Sequence, residues 1–175
     1  MISTREYIDK LEEGLCIISM AYYGRIIRLL TTGMVITAGN GGSSATASHM
    51  ANDLTKMVGI PSICLTDSVT LLTAYGNDDG YRNALAHYYR DLQLDGVTLI
   101  VYSGSGNSHN IVSLVEYAMS EGNNVIAITG YPDNILDSMC DKANTMSICF
   151  GIDDMQVAED LGLILSHVII RKMVG

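Results

Sequence analysis

Gly39-Asn40-Gly41-Gly42-Ser43-Ser44-Ala45-Thr46-Ala47-Ser48-His49-Met50-Ala51-Asn52-Asp53 is the stretch on which the fold turns. A short apolar run, Met34 to Ala38, leads into it, and a segment without Gly or Pro follows its small residues. That order predicts a strand, a tight turn and a helix N-terminus. Glycines let the backbone approach a ligand closely, and the first-turn N–H groups of the helix point at it. Ser43, Ser44, Thr46 and Ser48 add hydroxyls. His49 and Asp53 follow at i and i+4, on one helix face. One element thus offers an anion cradle and, beside it, a base or a pair of metal ligands. The combination suits chemistry on a phosphorylated metabolite.

Further β-like runs lie at Ser62–Thr66, Thr98–Ser103, Asn124–Thr129 and Thr145–Cys149. Several are near-continuous apolar runs, as buried parallel strands are. Helical stretches fall between them, around Ala45–Lys56, Gly80–Leu92, Ile111–Glu121 and Asn134–Met139, with a last helix over Gln156–Met173. Alternating β and α predicts a parallel sheet with helices on both faces. Ahead of the first strand, Ser3-Thr4-Arg5-Glu6 reads as a capping box. Apolar residues then recur at Ile8, Leu11, Leu15, Ile18, Tyr22, Ile26 and Leu29, in steps of three and four. Residues 1–32 are therefore expected to form one helix with a narrow seam, packed on a neighbouring subunit rather than on its own sheet.

The 175 residues fit one domain, 1–175, with no repeat or linker. A net charge of −9 argues against nucleic acid or an anionic membrane as partner. With only 10 Lys and Arg, phosphate must be met by backbone N–H groups, hydroxyls and a helix dipole. Hydrophobic residues make up 48% and charged residues 17%, a thinly charged surface that helices hidden in an oligomer would explain. Cys16, Cys64, Cys140 and Cys149 have no metal-finger spacing. Arg5, Glu6, Asp9 and Lys10 occupy the place of a signal-peptide core, and Leu161–Ile170 is too short to span a bilayer, so a cytoplasmic protein is expected.

Ligands in such a sheet sit beyond the carboxyl ends of the strands. Besides Gly39–Ser48, two post-strand loops qualify: Ser103-Gly104-Ser105-Gly106-Asn107-Ser108 and Tyr75-Gly76-Asn77-Asp78-Asp79-Gly80. Two Gly/Ser-rich strand-to-helix turns in one small domain favour phosphate binding. Neither is a GxGxxG or P-loop signature, so a nucleotide is disfavoured. In the last helix Glu159, Asp160 and His167 stand among apolar residues. Along an unbroken helix Glu159 and His167 lie roughly 12 Å apart. Either Glu159 precedes the helix, or the two serve adjacent sites at a subunit contact.

Taken in order, Gly39-Asn40-Gly41-Gly42-Ser43 with His49 and Asp53, Gly76-Asn77-Asp78, Ser103-Gly104-Ser105-Gly106-Asn107-Ser108 and Glu159…His167 resemble the motifs of the phosphoheptose isomerases, sedoheptulose 7-phosphate isomerases of the sugar-isomerase (SIS) superfamily. The resemblance covers nearly the whole chain. It implies a three-layer α/β/α sandwich around a five-stranded parallel sheet, flavodoxin- or Rossmann-like, with an extra N-terminal oligomerisation helix. It implies a homotetramer with sites between subunits. It implies sugar-phosphate binding by Asn40, Gly41, Gly42, Ser43, Asp53, Asn77, Asp78, Ser103, Gly104, Ser105, Ser108 and Glu159. Asp53 and His167 fall on the catalytic pair, and His49, Asp53, Glu159 and His167 on a zinc site.

The chain departs from the family at three of these positions. Asp53 stands for a Glu, Glu159 for a Gln, and Ser103-Gly104-Ser105 for Ser-Thr-Ser. The expected reaction is aldose–ketose isomerisation, sedoheptulose 7-phosphate to D-glycero-D-manno-heptose 7-phosphate through an enediol. The rivals are isomerisation of another sugar phosphate for a specialised glycan or secondary metabolite, and a non-catalytic sugar-phosphate sensor. The single helix ahead of the first strand disfavours the sensor.

Overall fold

The computed structural model describes residues 2–17 and 20–175. The predicted capping box forms. The Ser3 N–H donates to Glu6 Oε2 (2.7 Å) and the Glu6 N–H to Ser3 Oγ (3.2 Å), satisfying two donors that a helix start leaves open. Helical segments follow over α1 (Thr4–Ile17) and α2 (Met20–Leu30), within the 1–32 span expected to be helical. Residues 18 and 19, with Ile18 of the seam, and the side chain of Tyr22 lie outside the described residues. Ile8 and Leu15 on α1 stay 41% and 40% exposed, whereas Ile26 and Leu29 on α2 are buried. The later part of the seam therefore packs into the chain's own core, against the expectation that it would face a neighbour.

From residue 35 onward strands and helices alternate. The strands are β1 (Val35–Gly39), β2 (Ser62–Cys64), β3 (Thr98–Ser103), β4 (Asn124–Thr129), β5 (Asp141–Lys142) and β6 (Thr145–Cys149). The helices are α3 (Gly41–Asp53), α4 (Val69–Asp78), α5 (Tyr81–Asp91), α6 (His109–Ser120), α7 (Ile135–Met139) and α8 (Met155–Val174). The sheet order is β2-β1-β3-β4-β6-β5. The first five in that order pair in parallel, as expected. β5 adds a sixth, antiparallel strand, Asp141 opposite Met146 and Lys142 opposite Thr145; two residues without apolar alternation leave no sequence signal. At the other edge β2 is three residues long and begins directly after Pro61.

Alternate residues of the central strands feed two apolar layers. Val35, Ile100, Tyr102, Ile126 and Ile128 join Leu30, Met50, Leu161 and Leu165 from α2, α3 and α8. Ile36, Leu99, Val101, Val125 and Ala127 face the other way, onto Leu85, Tyr88, Ile111 and Leu114 from α5 and α6. Helix α1 lies outside the first layer, with Tyr7 and Leu11 against it and the Tyr7 hydroxyl donating to Asp160 Oδ2 at 2.6 Å. That contact and the carboxylate's charge hold the Tyr7 hydroxyl up at a pKa of about 12.

The sequence expectations are corrected at two further points. Residues 69–78 form α4, so Tyr75, Gly76, Asn77 and Asp78 lie in its last turns rather than in a post-strand loop. Leu72 and Tyr75, at i and i+3, pack on the second layer and outweigh the helix-weakening Gly76. β2 stops at Cys64, because Leu65–Asp67 coil into a tight turn. Among the described residues no helix is long and apolar enough to cross a membrane.

Candidate active site

β1 and β3 are neighbours, yet α3 after β1 lies on one face of the sheet and α6 after β3 on the other. Beyond the carboxyl ends of strands at such a point lies the crevice where open α/β sheets receive ligands. Asn40, in extended conformation, begins α3, and its side chain makes no cap hydrogen bond. It pairs across the crevice instead. Asn40 Nδ2 donates to Asn110 Oδ1 and Asn110 Nδ2 to Asn40 Oδ1, both at 2.9 Å. Tyr81 Oη also donates to Asn40 Oδ1, at 2.9 Å. Neither Asn110 nor Tyr81 stood out in the sequence. An amide pair is made by tertiary placement and leaves no local pattern.

In the turn after β3, Ser103 Oγ accepts from the Gly106 N–H (3.2 Å) and Ser105 Oγ from the Asn107 N–H (3.2 Å). Ser108 is the N-cap residue of α6 but does not cap with its side chain. Asn107 Oδ1 accepts from the Ile135 N–H (2.9 Å), tying this turn to α7. A Cβ at Gly104 would overlap the Met155 sulfur of α8, so α8 passes close to the middle of Ser103-Gly104-Ser105.

The first turn of α3 meets α8 as well. Ser43, Thr46, Ser103, Gly104, Thr129 and Glu159 surround a pocket of only ≈ 10 Å³, about the space of one water. A Cβ on Gly42 would overlap the Glu159 carboxylate. Glu159 thus lies inside α8 and rests on the start of α3; the alternative that it precedes the helix is ruled out. Ser44 Oγ donates to Thr66 Oγ1 (2.6 Å) and Ser48 Oγ to Asp67 Oδ2 (2.9 Å), pinning α3 to the turn after β2.

One helical turn on, three predicted residues converge. His49 Nε2 lies 3.2 Å from Asp53 Oδ2 and 3.0 Å from His167 Nε2. The imidazoles meet edge to face, 77° between planes. Asn52 Nδ2 donates to Asp53 Oδ1 at 3.1 Å, which fixes the carboxylate. Asp53 is buried, while both histidines are exposed. One ligand atom from each of the three lies within 4.8 Å of the others. Two imidazoles and a carboxylate suit a divalent cation such as zinc. Glu159 lies outside this group. Beneath α8, Tyr102 Oη and Ser166 Oγ are 2.7 Å apart, and Ser166 Oγ donates to the Gly162 carbonyl at 2.8 Å. Burial raises the Tyr102 pKa, so the phenol stays neutral and fixes the register that presents His167. Asn77 and Asp78 hydrogen-bond to each other, at 2.8 Å, on the exposed last turn of α4.

The family model for the SIS domain matches residues 26–130. The chain belongs to the SIS domain family. Its relatives in that family include a phosphoheptose isomerase of Burkholderia pseudomallei, 36% identical over 114 residues, 62% of this chain and 58% of the relative. The chain thus spans under two thirds of that relative's length. A phosphoheptose isomerase of Aliarcobacter butzleri is 31% identical over 140 residues, 77% of this chain and 72% of the relative. Among solved SIS-fold structures, the phosphoheptose isomerase of Neisseria gonorrhoeae superposes with a TM-score of 0.85 at 27% identity, covering 97% of this chain and 93% of that one. The α/β/α sandwich and its mainly parallel sheet are those of this family.

Proposed function

We propose that the protein is an aldose–ketose isomerase of sugar phosphates that converts sedoheptulose 7-phosphate to D-glycero-D-manno-heptose 7-phosphate. The observation that carries this reading is the convergence of His49, Asp53 and His167 within 4.8 Å, beside a crevice bordered by two Gly/Ser-rich turns. Similarity to phosphoheptose isomerases supports it.

Isomerisation moves a proton from C1 to C2. Loss of a C1 proton and protonation of the carbonyl oxygen give an enediol. Protonation of C2 and loss of the O1 proton then give the aldose. Asp53 and His167 divide these transfers, each of which contributes roughly a hundred- to ten-thousandfold. Asn52 holds the Asp53 carboxylate in one orientation. The turn of Ser103, Gly104, Ser105 and Ser108 takes the phosphate through N–H groups and hydroxyls at the start of α6. Asn40, Gly41, Gly42, Ser43, Asn77, Asp78 and Glu159 complete the sugar site. Holding the phosphate fixes the reacting carbons against the acid–base pair.

His49, Asp53 and His167 would hold zinc, with Glu159 a neighbour of the site; a carboxylate bound to zinc is a poorer base, so Asp53 serves as ligand or as base and not as both at once. Bound there, zinc would polarise the carbonyl and stabilise the enediolate. A homotetramer with sites at subunit contacts accords with two exposed histidines and with Ile8 and Leu15 left open on α1. The protein then acts in the cytoplasm as a single domain, 1–175. One observation favours a different sugar phosphate as substrate. Asp53 is a methylene shorter than the Glu it stands for, and the carbon acid must lie closer to it.

Proton NMR of the purified protein with sedoheptulose 7-phosphate, with and without chelator, tests the reading. Appearance of the aldose, abolished by Asp53→Asn and by His167→Ala, is the expected result. Catalysis that survives both substitutions removes the assignment, and turnover of other ketose phosphates alone moves the substrate.

A further inference from the structure

The Asn40–Asn110 pair, closed by Tyr81, joins the starts of α3 and α6. The pair bridges the two halves of the crevice. Asn40 stands at the start of α3, the helix that carries His49 and Asp53. Asn110 stands in the first turn of α6, two residues beyond Ser108 at the end of the proposed phosphate turn. The two helices lie on opposite faces of the sheet. The β1–β3 ladder ends at Gly39 opposite Tyr102. Beyond it, the reciprocal amide bonds, two at 2.9 Å, tie the N-termini of the two helices together.

Counting donors and acceptors sharpens the point. Asn40 Oδ1 accepts from Asn110 Nδ2 and from Tyr81 Oη, which fills both carbonyl lone pairs. Asn40 Nδ2 spends one N–H on Asn110. A single N–H remains for a ligand, so Asn40 offers the crevice a donor and no acceptor. Asn110 is 3% exposed, so its amide is committed to this pairing. Tyr81 is 59% exposed, yet its hydroxyl reaches from α5 to the far side of the crevice. An exposed ring gains little from burial there, and the hydrogen bond is what holds it over the opening.

The geometry points to Asn110 and Tyr81 as positioning residues that set the span between the phosphate turn and the acid–base cluster through Asn40. This rests on the proposed sugar-phosphate reading of the same crevice. The span matters only to a ligand long enough to touch both halves. A sugar phosphate does; inorganic phosphate touches the turn after β3 alone. Loosening the bridge should therefore separate the two ligands.

The test is calorimetric binding of inorganic phosphate and of sedoheptulose 7-phosphate to the wild-type protein, Tyr81→Phe and Asn110→Ala, with kcat and KM alongside. Each variant should bind inorganic phosphate within twofold of wild type. Sedoheptulose 7-phosphate should bind about threefold to tenfold more weakly, the loss of one or two hydrogen bonds, with KM raised more than kcat falls. Unchanged sugar-phosphate binding in Tyr81→Phe overturns the proposal, and that variant decides alone if Asn110→Ala fails to fold. Equal loss of both ligands also overturns it, since it means collapse of the phosphate turn. A wild-type protein that binds the sugar phosphate without isomerising it defeats the proposed reaction and leaves the binding comparison standing.

Discussion

His49 Nε2 and His167 Nε2 lie 3.0 Å apart, on residues 118 positions apart in the sequence. Two ring nitrogens at that distance could both turn their lone pairs to one cation. With Asp53 Oδ2 at 3.2 Å from His49, the three donor atoms lie close enough to hold one metal ion.

Zinc titration reads this directly. His49→Ala should weaken zinc binding by more than the roughly 10- to 100-fold that loss of an outer partner costs. Glu159→Gln, outside the group, should bind zinc as the wild type does. Equal weakening by both substitutions would put Glu159 among the ligands.

Asp53→Asn keeps the shape of the side chain and removes its basicity. A kcat lowered by roughly 10²- to 10⁴-fold is expected, with the melting temperature within a few degrees of wild type. Steady-state kinetics and calorimetry on the same preparation separate loss of chemistry from loss of fold.

Gly42 and Glu159 should be strongly coupled. Gly42→Ala drives a methyl into the Glu159 carboxylate, an overpacking worth about 1–3 kcal/mol. In a Glu159→Ala background the same change should cost much less. Denaturant unfolding of the four proteins gives the coupling term, and additivity would mean the carboxylate swings aside freely.

The Tyr7–Asp160 contact gives α1 a pH dependence. Tyr7 has a folded pKa raised from 10.0 to about 12, chiefly by its hydrogen bond to Asp160. The proton is held more tightly in the folded protein. The stabilisation is complete below pH 10.0 and is lost as pH rises from 10.0 to about 12. Thermal melts across that window should fall more steeply for the wild type than for Tyr7→Phe.

Most of the sheet can be read from the chain because its inner strands are buried on both faces. Thr98–Ser103 and Asn124–Thr129 are apolar almost without interruption. Helix α4 is hidden by Gly76 and by a short, weakly patterned face, and β5 by its two polar residues. His49 and Asp53 are legible as a pair because one helical turn joins them. His167 joins them through tertiary packing alone; the sequence marks it only as a histidine among apolar residues, and its role comes from the family resemblance. Helix spacing separates Glu159 from His167 by roughly 12 Å along an unbroken helix, but the sequence leaves open whether Glu159 lies in that helix; the fold places it inside α8. Asn110 and Tyr81 are illegible for the reason His167 is: their partner stands far away in the chain.

The margins of the sheet carry a last consequence. One ends in a three-residue strand behind a proline, the other in a two-residue antiparallel stub. Neither offers a run of free amides long enough to recruit an extended segment from another molecule. A chain this apolar is thereby protected from stacking into fibrils, and copies of it can meet through helix surfaces without competition from strand exchange.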